Sequence, residues 1–255
     1  MKRGNTIFFK KPPRVRSYAA ICGSKEREGV IGGYADITLA DDMYGESTYE
    51  KAECKMLSGA IRLAVEKGAL TDGDIDVLFS GDLLNQIISA SFAARDFQFP
   101  FLGLYSACST MSESILLAAA MIDGGFARNC VAATGSHFAS AERQYRYPLE
   151  LGCTRPPQSQ WTVTGAGACV ISGEEGGIQV VNATLGRVRD WGISDVNNMG
   201  AAMAPAAADT IMRHFKDTNT LPEDYDMIVT GDLGALGSRI LKDLTWEKGY
   251  DIAPN

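Results

Sequence analysis

The residue best placed to do chemistry is Cys108. It stands in Phe101-Leu-Gly-Leu-Tyr-Ser-Ala-Cys108-Ser-Thr110, where an apolar run gives way to a helical pattern. The positive end of a helix dipole favours an anion at such a junction, and the small neighbours Ala107 and Ser109 leave room for a ligand to approach the sulfur. A nucleophilic cysteine is presented in this way. The same position suits a small buried hydrophobe, the usual condition of a free cysteine. By position alone both readings stand open. The other cysteines (Cys22, Cys54, Cys130, Cys153 and Cys169) show no CxxC spacing, so they read as reduced intracellular thiols and not as a disulfide frame or a zinc site. With only His137 and His214 in the chain, a histidine-rich metal centre is excluded. No metal ligand set and no cofactor is expected. Gly165-Ala-Gly167 lacks the lysine and spacing of a phosphate loop and reads as a place of close backbone approach.

The elements that must position this cysteine alternate between helices and short apolar runs. Tyr49–Lys67 carries Ala52, Met56, Ala60, Leu63 and Ala64 at helical spacing. Val77–Ser80 is expected as a strand, Ile87–Arg95 as a helix, and Pro100–Tyr105 as a buried strand. Ser109–Ile122 is a helix closed by Gly124-Gly125, and Asn129–Thr134 a strand. Thr162–Ser172 and Ile178–Leu185 are expected to pair around a turn at Glu174–Gly177. Ala204–Phe215 is a helix, with His214 on its polar face and open to solvent, and Met227–Thr230 is a strand. The alternation implies an α/β fold with a mostly parallel sheet covered on both faces. The segment Gln144–Gln160, with three prolines, is the main irregular stretch.

One feature exceeds that generic pattern. Asp74-Ile-Asp-Val-Leu-Phe-Ser-Gly-Asp-Leu83 recurs as Asp224-Tyr-Asp-Met-Ile-Val-Thr-Gly-Asp-Leu233, an offset of 150 residues (224 − 74), with five of ten positions identical. The acids alone could be turn formers. The matched Gly-Asp-Leu after both apolar runs points to a duplicated half.

Composition limits the function classes. At 255 residues and a net charge of −7 (24 basic, 31 acidic), the chain is a poor general binder of nucleic acid or anionic membrane. The six basic residues before Ser17 lack an apolar core and a cleavage site, so they read as a short basic arm starting an edge strand. Apolar stretches such as Ile115–Ile122 are far too short to span a bilayer.

Taken together, these segments resemble a known family. Ala-Cys108-Ser before a helix, Asp123-Gly-Gly125, Ala133-Thr-Gly-Ser136 and Val163-Thr-Gly-Ala-Gly-Ala-Cys-Val-Ile171 are similar to the thiolase and β-ketoacyl-synthase III superfamily. Gly81-Asp-Leu-Leu-Asn-Gln86, Gly103-Leu-Tyr-Ser-Ala-Cys-Ser-Thr110, Ala141-Glu-Arg-Gln-Tyr-Arg-Tyr-Pro148 and Met203-Ala-Pro-Ala-Ala-Ala-Asp-Thr-Ile211 resemble the stage V sporulation AD family within it, over nearly the whole chain. The resemblance implies a thiolase-like fold of two pseudo-duplicated βαβαβαββ halves in five αβαβα layers, residues 1–175 and 176–255, the second half truncated. A condensing enzyme of this superfamily has a His-Gln-Ala-Asn motif after the strand that corresponds to Met227–Thr230. Here Gly231-Asp-Leu-Gly234 stands in its place, without an imidazole, and an ionised Asp232 cannot donate to an oxyanion.

The family resemblance therefore implies binding more than acyl transfer. The ligand the resemblance implies is dipicolinic acid (pyridine-2,6-dicarboxylate), alone or as its calcium chelate, taken up into developing spores. The implied partners are membrane-embedded products of the same sporulation operon and a second copy in a homodimer. The implied location is inside a spore-forming bacterium, soluble or peripheral at the spore inner membrane. A planar dianion calls for guanidinium groups, whose forked donors match a carboxylate. Arg143 and Arg146 are the candidates, with solvated surface charges or a dimer contact as the alternative. His137 and Cys108 are expected to share the pocket, unless His137 is a structural residue bonded to backbone. Asp82 and Asn85 either line the same cleft or cap a turn. The rival function is a condensing acyltransferase with Cys108 as nucleophile.

Overall fold

A computed structural model describes residues 1–145, 159–195 and 197–253. In chain order the strands are β1 (Lys2–Arg3), β2 (Thr6–Phe8), β3 (Arg14–Cys22), β4 (Ile37–Thr38), β5 (Val77–Gly81), β6 (Phe101–Gly103), β7 (Asn129–Ser136), β8 (Gly165–Ser172), β9 (Ile178–Gln179) and β10 (Asn182–Thr184). The helices are α1 (Ser24–Arg27), α2 (Tyr49–Lys67), α3 (Ile88–Ala94), α4 (Thr110–Asp123), α5 (Phe138–Tyr145), α6 (Met199–Thr218) and α7 (Gly234–Trp246). The fold class is α/β, as expected. Contacts divide the described residues into two units, residues 9–145 with 162–181, and residues 1–8 with 159–161 and 182–253.

The larger unit is built on one mixed sheet in the order β4-β3-β8-β7-β5-β6, with β9 beside β3. β5 runs parallel to both β6 and β7, while β8 runs antiparallel to β7 and β3. Helix α2 begins where Thr48 accepts the Lys51 N–H, and its stripe of Ala52, Met56, Ala60, Ile61 and Ala64 is fully buried. Burial of a side chain the size of Met56 or Ile61 stabilises by roughly 1.5–3 kcal/mol. Alternation along β5 decides which helix meets which face. Leu78 joins the α2 and α3 residues in one core, and Val77 and Phe79 join Ala118 and Ile122 of α4 in the other. The result is a helix–sheet–helix sandwich.

In the smaller unit β1, β2 and β10 form an antiparallel ribbon. α6 and α7 pack through Ala204, Ala208, Phe215, Leu233 and Leu241. The duplication is visible in local structure. Short 3₁₀ turns occupy Asp72–Asp74 and Pro222–Asp224, and α2 and α6 start 150 residues apart (199 − 49). In each turn the last aspartate accepts the N–H three residues back, Asp74 from Thr71 at 2.8 Å and Asp224 from Leu221 at 2.9 Å.

Five expectations are corrected. The sheet is mixed, not mostly parallel, because β8 runs antiparallel to both β3 and β7. The run at Pro100–Tyr105 gives β6, which among the described residues is an edge strand paired only with β5, with Leu102 50% exposed. Ile178–Leu185 does not pair with β8. It splits into β9 on β3 and β10 on β2, since both edges of β8 are already taken by β3 and β7. Met227–Thr230 is not a strand: no described strand takes up its backbone groups, and Met227 and Val229 lie exposed. His214 is half-buried, not solvent-exposed. Its ring nitrogens meet Thr184 Oγ at 2.7 Å and the Tyr225 hydroxyl at 2.8 Å, and burial lowers its pKa, favouring the neutral ring.

Candidate functional site

Three parallel strands, β5, β6 and β7, end together at one edge of the large sheet, and the carboxyl ends of parallel strands are where open α/β sheets bind ligands. The segment after β5 carries Asp82 and Asn85, the segment after β6 carries Cys108, and β7 runs into His137 and α5. Topology thus brings all the described sequence candidates to this edge. Arg146 lies outside the described residues. Gly81 makes the convergence possible: a Cβ there would stand 2.0 Å from the Leu104 carbonyl oxygen.

Cys108 is exposed in a 3₁₀ turn, Ala107–Ser109, that leads into α4. Ala107 holds a left-handed φ of 47°, an uncommon conformation for a residue with a side chain. Strain of this kind costs about 1–3 kcal/mol and collects at functional turns. The turn is fastened by Ser109 Oγ donating to the Ser106 carbonyl at 2.9 Å and by Ser106 Oγ donating to Glu113 of α4.

Asn85 sits on an exposed rim. Its side-chain oxygen accepts from the Tyr105 hydroxyl at 3.0 Å, and its N–H donates to Gln144 Oε1 at 3.0 Å. One hydrogen-bonded path therefore joins the β5 segment, the β6 segment and α5. Arg143, next to Gln144, reaches Glu50 Oε1 at 3.6 Å and lies over the Tyr49 ring. That exposed pair contributes about 0–1 kcal/mol, so its guanidinium is cheaply redirected.

Asp82 and His137 are both 1% exposed. Asp82 accepts the N–H groups of Leu84 and Ala90, each at 2.7 Å, and so secures the start of α3. Burial pushes its carboxyl up against those bonds. At His137, Nδ1 accepts the Ala139 N–H at 3.1 Å. That leaves the ring proton on Nε2, which donates to the Asp42 carbonyl at 2.9 Å. Its ring packs on Tyr49 with centroids 4.9 Å apart. Both ring nitrogens are occupied.

Sequence reasoning did not single out Tyr105 and Gln144 as site residues, although both stand inside segments it quoted, Gly103–Thr110 and Ala141–Pro148. It also missed Glu53, although an acid within the apolar stripe of α2 was a usable signal.

The model for stage V sporulation protein AD matches residues 3–255. The chain belongs to the stage V sporulation protein AD family. It is 47% identical over 247 residues to stage V sporulation protein AD of Bacillus subtilis (strain 168), covering 97% of this chain and 73% of that protein. Among solved structures it is similar to 3-oxoacyl-[acyl-carrier-protein] synthase III from Aquifex aeolicus VF5, with TM-score 0.58 and 12% identity over 92% of this chain and 80% of that one. It is also similar to a Xanthomonas campestris OleA variant bound with cerulenin, with TM-score 0.65 and 13% identity over 100% and 84%. At such identities the likeness shows the fold, which is thiolase-like. No helix among the described residues is long and apolar enough to cross a membrane.

Proposed function

We propose that this chain binds dipicolinic acid, free or as its calcium chelate, and holds it unchanged at the carboxyl ends of β5, β6 and β7 during its uptake into developing spores. The supporting observation is the contrast between the open thiol of Cys108 and the two engaged imidazoles. Claisen chemistry at a cysteine needs a neighbouring group to move protons and hold an oxyanion. His137 is closed off by Asp42 and Ala139, and His214 by Thr184 and Tyr225. Asp232 accepts the Gly234 N–H at 2.9 Å and has no proton to donate when ionised. A rim of Tyr105, Asn85, Gln144 and Arg143 offers hydrogen-bond donors to a planar diacid, and Arg146, outside the described residues, is the second guanidinium this reading calls on. Asp82 and His137 would shape this site from beneath. The edge of β6 that no described strand takes suits strand pairing with a second copy, and the membrane-embedded products of the same operon would receive the ligand.

Thermal unfolding with dipicolinate and with acyl-CoA tests the reading. A ligand at 100 times its Kd stabilises the native state by about 2.7 kcal/mol. Stabilisation by dipicolinate, weakened in Arg143→Ala, is the expected result. Transfer of a radiolabelled acyl group to Cys108, with no response to dipicolinate, would establish the condensing-enzyme alternative instead.

A further inference from the structure

Helix α5, which carries Arg143 and Gln144, and His137 just before it are held against α2 by several side-chain contacts. Tyr49 packs on the His137 ring, Glu50 pairs with Arg143, and Glu53 meets Ser140. Only the last is a fully buried polar contact, with Glu53 1% and Ser140 3% exposed.

Ser140 has one hydroxyl proton and two acceptors in reach, Glu53 Oε2 at 2.7 Å and the His137 carbonyl at 3.2 Å. A hydroxyl donates once. Both bonds reach full strength together when Glu53 is itself protonated and donates to Ser140 Oγ, which then donates its own O–H to the His137 carbonyl. The surroundings agree with this polarity. Glu53 Oε1 has no hydrogen-bond partner and no cation pairs with the carboxyl among the described residues. The charged groups facing it are negative, Asp82 from the segment after β5 and Glu50 from α2 itself. Ser140 of α5 and Ser89 of α3 act the other way and favour the charged form, although Ser89 Oγ and Glu53 Oε1 do not reach bonding geometry. Burial, first of all, pushes the Glu53 carboxyl up to about 8.

We infer that Glu53 is a neutral carboxylic acid whose proton, relayed through Ser140, positions α5 and with it the Gln144–Arg143 side of the ligand rim. The relay is a property of the chain alone; its effect on ligand rests on the function proposed above. The folded protein keeps a proton that the unfolded chain releases between pH 4.5 and about 8, so stability falls as pH rises through that window. Glu53→Gln keeps the shape and the donor without the titration. Glu53→Ala removes the contact.

The experiment follows urea denaturation of wild type and Glu53→Gln from pH 5 to 9, with an infrared difference spectrum at pH 6.5. The expected result is a decline of wild-type stability with pH that the Gln variant lacks. A protonated-carboxyl C=O band should appear in the wild type and vanish in that variant. Superimposable pH profiles, or no such band, would overturn the neutral acid. In titrations with dipicolinate, Glu53→Ala should bind about three- to tenfold more weakly, one hydrogen bond expressed as affinity, with Glu53→Gln close to wild type. Equal affinity in both variants would overturn the positioning role. If wild type bound no dipicolinate, the proposed function would fail while the pH profile still decided the proton.

Discussion

The contact between α6 and α7 predicts that adding one methyl group at Gly237 destabilises the smaller unit although it improves the helix. Gly237 is buried within α7, and a Cβ there would lie 2.6 Å from Gly200 Cα and 2.9 Å from the Gly200 carbonyl oxygen. The approach is mutual: a Cβ at Gly200 would lie 2.1 Å from the Leu233 carbonyl oxygen and 3.0 Å from Gly237 Cα. These are backbone atoms of two helices and cannot rotate away. Ordinary contact begins near 3.4 Å, so the helices must part. Parting them also loosens Ala204, Leu233 and Leu241 in the core between them. Replacing glycine by alanine within a helix gains about 1 kcal/mol. Overpacking a rigid contact costs about 1–3 kcal/mol, here at the upper end because neither neighbour is a flexible side chain. The expected net loss is about 1–2 kcal/mol. Gly59 in α2 is the control, since its nearest neighbour is the far end of the Ile21 side chain at 3.0 Å. Urea denaturation followed by tryptophan fluorescence and circular dichroism gives both values from the midpoint at constant slope. Should Gly237→Ala gain the full propensity term and melt later than wild type, the close backbone crossing of α6 and α7 is wrong.

Two further outcomes follow from charge and burial. Asp209 accepts from Arg187 Nε and Nη2 at 3.1 and 3.2 Å, from Arg213 Nε at 2.7 Å and from Arg189. Burial opposes ionisation there, but the arginine bonds outweigh it and hold the carboxyl below its ordinary range, so its contribution is present at neutral pH and lost on acidification. Asp209→Asn should therefore cost about 1–2 kcal/mol at low salt and clearly less in 1 M salt, where charges are screened beyond about 3 Å; an equal loss at both salt concentrations would argue against an electrostatic clamp. Native Cys108, being exposed, should react with a thiol reagent at pH 8 while Cys130 and Cys169, buried and with thiols pushed up to about 12, stay unmodified until unfolding, as peptide mass mapping would read; early labelling of Cys169 would contradict the packing of β8.

What the sequence conveyed was local, and what it withheld was a matter of partners. Helix α2 was legible to the residue, because Thr48 caps it and Ala52, Met56, Ala60 and Ala64 keep one spacing. The duplication was legible because the same acids make the same local bond, Asp74 and Asp224 each closing a 3₁₀ turn on the residue three back. Asp76, the second acid of the first copy, takes the N–H groups of Arg128 and Asn129 at the start of β7, a partner 52 and 53 residues away that no spacing announces. Phe101–Gly103 and Val77–Gly81 both read as apolar strands in sequence, yet among the described residues one has a strand on one side and the other on both. At the site the same division holds. The strand–Ala-Cys-Ser–helix junction announced Cys108, since a turn is a local object. The proton on His137 Nε2 and the proton on Glu53 were not legible, because each is fixed by an acceptor on another element: the Asp42 carbonyl for one and Ser140 for the other. Residue types can nominate an acid or a base, but only the fold assigns its proton. The same imidazole that a sequence motif would offer as a catalyst is, once Asp42 and Ala139 have taken both its nitrogens, part of the scaffold.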